Sequence, residues 1–337
     1  MKVPLRLQIR PLLRPEIAEL IGDLPDDIAG EIITLVEEFY RRQPDVVHAW
    51  QDSTSIKAGI AAVIAGVPRI VLASRNVIPK NFTYYKEYMR PAYRALASHK
   101  SVVLVNNSEV GTRDYTRWLD LPRDRFKVVR NGVDLKGLAR ASEDVVRDYK
   151  QSIDIPSRAK VVGSIFRFWA EKRPMLWLET AVELSKSYPD LHFLLIGDGP
   201  MRNEMNAYIF NHSLGTKIHL PGARTDIAIP LSSMNVFVLT SEYEGTPNVV
   251  LEAQWLGVPV VVADAGGAKE SFAHGESGLL STQNSAQEIC TLVSFILNND
   301  RFAEEAKLAG PRYVKKEFGI ERMVKETMNL YDGGEEE

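Results

Sequence analysis

SEYEGTPNVVLEAQWLGVPVVVADAGGAKES, residues 241–271, sets a helical stretch against an unbroken apolar run, and its reading decides the fold. Gly245-Thr246-Pro247 is turn chemistry, residues 248–256 read as a helix closed by Gly257, and 258–263 is a β-branched run that stops at Asp264-Ala265-Gly266-Gly267. An apolar run without polar alternation marks a strand covered on both faces. Glu244 falls in the loop before the helix, Glu252 one turn into it, and a helical start carrying Glu270 follows the paired glycines at 268–272. The first amides of such helices have no partner upstream. The backbone near Asn248 and Val249, and a second turn at Gly266 and Gly267, are therefore suited to an anion such as phosphate. Acidic capping of a helix start is the alternative use of the glutamates.

The same alternation runs through the chain. Strands read at 46–49, 69–73, 102–105, 127–129, 161–165, 192–196, 217–220, 236–239 and 258–263, with amphipathic helices at 28–41, 54–65, 174–187 and 286–297. Strand–helix repetition implies parallel sheets with helices on both faces, an α/β fold. The length, 337 residues, suits two domains. A polar stretch at 135–158 marks the boundary, giving domains 1–140 and 141–315 and a terminal segment 316–337 that ends in an acidic tail. Two doubly wound domains would place ligands in a cleft at the carboxyl ends of their strands.

Composition removes several classes. Cys290 is the only cysteine, so intramolecular disulfides and Cys-pair metal sites are excluded and a reducing compartment such as the cytoplasm fits. No apolar run reaches the ~18 residues of a membrane span, and Arg and Pro interrupt the first 17 residues, unlike a secretory signal. The six histidines are scattered and no Asp-x-Asp occurs, which argues against a dedicated metal site. Gly197-Asp198-Gly199-Pro200-Met201-Arg202 imitates a dinucleotide fingerprint but has Arg202 where the third glycine belongs. The net charge of −3 hides an imbalance: residues 1–140 hold 22 basic and 16 acidic residues, the remainder 19 and 28. Without a recognition motif, nucleic acid is not an expected partner.

Arg167 and Lys172 follow the strand at 161–165 and precede a helix opened by Pro174, where cations could neutralise a diphosphate. Together these landmarks resemble the family 4 retaining glycosyltransferases. Glu244 and Glu252 match the E-x7-E motif, Arg167 and Lys172 the R-x4-K diphosphate site, 197–202 the GxGPxR strand end, and 266–270 the GGxxE turn. Asn131-Gly132-Val133-Asp134 resembles the NGVD marker that closes the first domain, and 318–331 the terminal helix that crosses back onto it.

The resemblance implies the GT-B architecture: two Rossmann-like domains about a cleft, the first for the acceptor and the second for a nucleotide-diphosphate-sugar, with UDP the default base. It also implies a metal-independent hexosyltransferase of polysaccharide or lipopolysaccharide biosynthesis with no tightly bound cofactor. By the resemblance, Arg167 and Lys172 stabilise the leaving diphosphate and Glu244 contacts the donor sugar. Glu252 takes the ribose, and Asn248, Val249, Gly266, Gly267, Glu270 and Arg202 complete the donor site. His48, Arg75 and Asn131 fall on the acceptor side, Arg75 standing where the family carries a cleft histidine.

The family's opening strand and Gly-rich loop are missing before DVVHAW (45–50), which points to a truncated or abbreviated first domain. The stretch bounded by Lys80 and Lys100 mixes cations with four tyrosines, reading either as a contact to an anionic inner-membrane surface or as a helix with its tyrosines packed inward. A lipid-linked, glycan or small-molecule acceptor fits. A nucleotide-sugar-binding module without turnover, or an epimerase or phosphorylase on the same fold, are the competing readings.

Overall fold

The computed structural model describes residues 24–134 and 136–333, so the opening stretch and the acidic tail at 334–337 lie outside the described residues. The chain divides into two compact units. One takes the described residues up to Arg130 and those from Met323 onward, and the other spans Asn131–Arg322. This division falls earlier than the boundary at 140 because Asn131 and Val133 are tied to the second unit. Val133 N–H donates to Phe318 O at 2.9 Å, and Arg322 donates to Asn131 O at 3.1 Å.

The first unit opens with α1 (Asp26–Arg42), β1 (Val46–Trp50), α2 (Asp52–Ala65) and β2 (Arg69–Ser74), followed by α3 (Met89–Ala97), β3 (Val102–Asn106), α4 (Glu109–Leu119) and β4 (Phe126–Val128). The four strands pair in the order β1-β2-β3-β4, all parallel. Strand alternation separates the two faces of the sheet. Val47, Ala49, Ile70, Leu72, Val102 and Leu104 pack against α1–α4, whereas Val71, Ala73, Val105 and Val129 meet Met323, Leu330 and Tyr331 of α12 (Ile320–Asp332).

The second unit runs α5 (Glu143–Ser152), β5 (Val161–Ile165), α6 (Pro174–Ser187), β6 (His192–Ile196), α7 (Arg202–Asn211), β7 (Ile218–Gly222), α8 (Ala228–Ser232), β8 (Val236–Leu239), α9 (Asn248–Trp255), β9 (Val260–Ala263), β10 (Gly278–Ser281), α10 (Ala286–Asn298) and α11 (Asp300–Phe318). Its six parallel strands lie in the order β7-β6-β5-β8-β9-β10, so the order reverses between β5 and β8. Helices cover both faces: Phe193, Leu195, Val236 and Val238 point into one core, and Leu194, Ile196, Phe237 and Leu239 into the other. That is the doubly wound arrangement, which binds ligands outside the carboxyl ends of the two strands at the reversal. All nine strands read from sequence are present; β10 is additional.

Candidate active site

β5 and β8 end side by side, and the loops leaving them are joined. Glu242 N–H donates to Glu171 O at 2.8 Å, and Thr240 Oγ1 to Lys172 O at 2.9 Å. This brings Lys172 Nζ to 2.5 Å from Glu244 Oε1, with the side chains only 17% and 11% exposed. A largely desolvated pair of this kind is held by its surroundings rather than by solvent-screened attraction. The Glu244 backbone bridges to the next loop: its N–H donates to Ala265 O, and its carbonyl accepts from Gly267 N–H, both at 3.0 Å.

That last bond corrects one expectation. Residues 267–270 form a single 3-10 turn, not the start of an α-helix, and the Gly267 amide is occupied by Glu244. Of the two turns expected to supply amides, the one that opens a helix is the start of α9. Pro247 precedes it and supplies no side-chain cap, so the first amides, at Asn248 and Val249, lie where an anion can be held. Gly266 takes a positive φ of 69°, which permits the tight turn beside Glu244. Glu270 is half-buried, and its carbonyl accepts from Tyr313 Oη at 2.9 Å.

Glu252 is half-buried on α9; among the described residues its carboxylate has no hydrogen bond or ion pair, and burial raises its pKa above the usual range. An unpartnered carboxylate at this depth is a ready acceptor for ligand hydroxyls. Arg167 is largely exposed, 5.7 Å from the Trp169 ring and 3.8 Å from Glu171. Arg202 is committed elsewhere, donating to Leu220 O at 2.9 Å and lying 3.6 Å from Asp198. The neighbouring glycine has a steric purpose, since a Cβ at Gly197 would lie 1.9 Å from Phe166 O, so GDGP lets two loops touch.

Asn131 lies in the second unit, not with the acceptor-side residues. Its buried amide donates to Thr246 O at 3.0 Å and Asn248 Oδ1 at 2.7 Å, fixing the loop that carries Glu244. Ser241 escaped the sequence reading: its hydroxyl is buried just past β8 and has no hydrogen bond. Its position immediately after a strand was the available signal.

In the first unit, His48 and Trp50 face α12 from the end of β1. His48 Nδ1 is 2.8 Å from Tyr331 Oη, and its ring stacks on Trp50 at 4.9 Å. Burial, with Arg75 adding to it, pulls the imidazole down to about 4, so it is neutral at pH 7. The Arg75 guanidinium lies 4.6 Å from the Trp50 ring. Tyr331 and Trp50 were not anticipated from sequence, since α12 is far from β1 along the chain.

The basic stretch from Lys80 to Lys100 is divided between uses. Arg90 and Arg94 reach Asp120 at 2.5 and 3.1 Å and also donate to carbonyls at the end of α4. Tyr93 is buried and, with Tyr84 and Tyr115, donates to the buried Asp52 carboxylate. Lys80, Lys86 and Lys100 remain exposed. Among the described residues no helix is long and apolar enough to cross a membrane.

Two parallel-sheet α/β units, one with an anion-suited helix start beside paired Lys and Glu at its strand reversal, define the GT-B class. Residues 145–312 match the model for glycosyl transferases group 1, and 17–136 that for glycosyltransferase family 4. These matches indicate a group 1/family 4 glycosyltransferase of the GT-B type.

The chain is 34% identical over 317 residues to a Salmonella typhi Vi polysaccharide biosynthesis protein, VipC/TviE, matching 92% of this chain and 54% of that one. It is 29% identical over 246 residues to an Escherichia coli UDP-Gal:alpha-D-GlcNAc-diphosphoundecaprenol alpha-1,3-galactosyltransferase, matching 70% and 62% of the two chains. It thus spans little more than half of these relatives' length. Among solved structures, Anabaena HepE in complex with UDP superposes with a TM-score of 0.81 at 19% identity, covering 90% of this chain and 82% of that one.

Proposed function

We propose that this chain is a retaining glycosyltransferase that moves a sugar from a UDP-sugar to a glycan or lipid-linked acceptor. The observation that carries the proposal is the meeting of Lys172 and Glu244 at the strand reversal, beside the open start of α9. In the proposed complex the α9 amides and Lys172 hold the diphosphate, with Arg167 closing over it. Glu252 takes the ribose hydroxyls, Glu244 the donor sugar, and Gly266, Gly267 and Glu270 line the turn beside it. His48 and Arg75 serve the acceptor.

In the reaction, the acceptor oxygen forms a bond to the anomeric carbon as the bond from that carbon to the diphosphate oxygen breaks. The acceptor proton passes to the departing phosphate on the same face, which keeps the configuration. Positive charge fixed at the leaving group stabilises the transition state more than the ground state. The donor assignment is supported by the relatives: HepE has been crystallised with UDP-glucose, and the E. coli protein is named for UDP-Gal.

The test is transfer itself. Lys172→Ala should lower turnover at least ~100-fold with the fold intact, the scale of losing one preorganised charge at a developing anion. Turnover within a few-fold of wild type would remove Lys172 from the site. Donor binding with no transfer to any acceptor would favour a binding module, and phosphorolysis a phosphorylase.

A further inference from the structure

Phe166 and Phe168 are buried just past β5, whereas Arg167 and Trp169, which alternate with them, are exposed. The backbone of this segment is fixed. Phe166 N–H and Phe168 N–H donate to Ile196 O at 3.1 Å and Asp198 O at 2.9 Å, and the two phenyl rings meet edge to face at 5.9 Å. Trp169 N–H donates to Arg167 O at 2.8 Å, a three-residue turn that draws the two outward side chains together. The Arg167 guanidinium accordingly lies 5.7 Å from the centroid of the Trp169 ring, within cation–π range. Lys172 is tied to the same turn, its N–H donating to Trp169 O at 3.0 Å.

Arg167 differs from nearby arginines in what its N–H groups do. Arg173 donates to Asn284 O and Arg202 to Leu220 O, both at 2.9 Å. Arg167 makes no side-chain hydrogen bond among the described residues, and Glu171, 3.8 Å away, is beyond hydrogen-bond reach. An aromatic ring attracts the face of a guanidinium and leaves its N–H edge free to donate. An exposed arginine without such a contact spreads over many rotamers, which a ligand must collect at an entropic cost. We propose that Trp169 is a positioning residue: its ring keeps the Arg167 guanidinium gathered at the carboxyl end of β5, with its donors available to a diphosphate. The inference rests on the donor reading given above and adds to it a residue that acts through Arg167.

Calorimetry with UDP on the whole chain tests this through a double-mutant cycle. Arg167→Gln should weaken UDP binding at least ~10-fold, the scale of a hydrogen bond to a charged group. Trp169→Ala should weaken it about 2- to 5-fold, the scale of an exposed cation–π contact. Trp169→Phe, which keeps an aromatic face, should retain most of the affinity. In an Arg167→Gln background, Trp169→Ala should have no further effect. A damaged loop, or a ring that stacks on the nucleotide itself, would weaken binding in both backgrounds, and that result overturns the proposal. So does an unchanged affinity in Trp169→Ala, or a loss as large in Trp169→Phe. If Lys172→Ala abolishes UDP binding while Arg167→Gln leaves it intact, the donor site stands and this proposal falls. A wild-type protein that binds no UDP overturns the donor reading and this inference together.

Discussion

Glu244 and Lys172 cannot both do their proposed work while bound to each other, and this gives the sharpest test of the site. A diphosphate arriving at Lys172 must displace the Glu244 carboxylate, now 2.5 Å away. At an effective dielectric near 20, the direct attraction over that distance is roughly 7 kcal/mol. Desolvation of two side chains this little exposed offsets most of it, leaving about 1–2 kcal/mol to be lost on exchange. Glu244→Gln removes that cost and the repulsion between carboxylate and diphosphate together. UDP should therefore bind the variant about 5- to 30-fold more tightly than wild type, at 1.4 kcal/mol per tenfold. Transfer should nonetheless fall, because the donor sugar loses its carboxylate. Calorimetry with UDP measures the first effect and a turnover assay the second. The gain should shrink in a Lys172→Met background to the part that comes from relieved repulsion, since the exchange cost exists only while the two side chains form one coupled unit. The reasoning fails if UDP binds Glu244→Gln no better than wild type.

Gly197→Ala should destabilise the second unit by about 3 kcal/mol or more, because the new Cβ would sit 1.9 Å from a backbone oxygen that cannot retreat; urea unfolding measures it, and an unchanged midpoint would contradict the packing. His48 gives a pH signature. Its folded pKa, about 4, lies below the ordinary value of 6.5, so the unfolded chain binds the proton first and stability falls as pH drops through that window. Going from pH 7 to pH 5 should cost about 2 kcal/mol through this group alone, and His48→Gln should lose that part of the slope. Parallel pH profiles for the two proteins would show that His48 does not titrate this way.

The sequence shows its strands because a strand buried on both faces must be apolar along its length, and Val236–Leu239 or His192–Ile196 announce themselves so. β10 has no such run, since Gly278 opens it, and a Cβ there would lie 2.4 Å from Val260. The order of strands is a tertiary fact with no local trace, and so is the approach of Lys172 to Glu244. Residues 268–272 read as helical because their local signal is that of a helix start, whereas the chain at 267–270 is held in a 3-10 turn by the bond from Gly267 to Glu244 O. Asn131 was read through its neighbours in the sequence, whereas its partners, Thr246 and Asn248, lie far along the chain.

Net charge is a poor guide to where this protein presents positive charge to a ligand. Residues 69–140 hold 15 basic and 6 acidic residues, which suggests a strongly positive face. Several of those cations are committed to bonds within the fold. Arg69 donates to Leu330 O, Arg90 to Trp118 O, Arg94 to Leu119 O and Arg125 to Ala97 O, each meeting a backbone carbonyl. Guanidinium groups used in this way close helix ends and tie strands to helices, and a passing anion meets little of their charge. The second unit is the mirror case. It is acidic overall, yet its proposed anion site depends on one lysine, one exposed arginine and the start of one helix. What decides binding in each unit is therefore which cation faces a ligand-accessible surface.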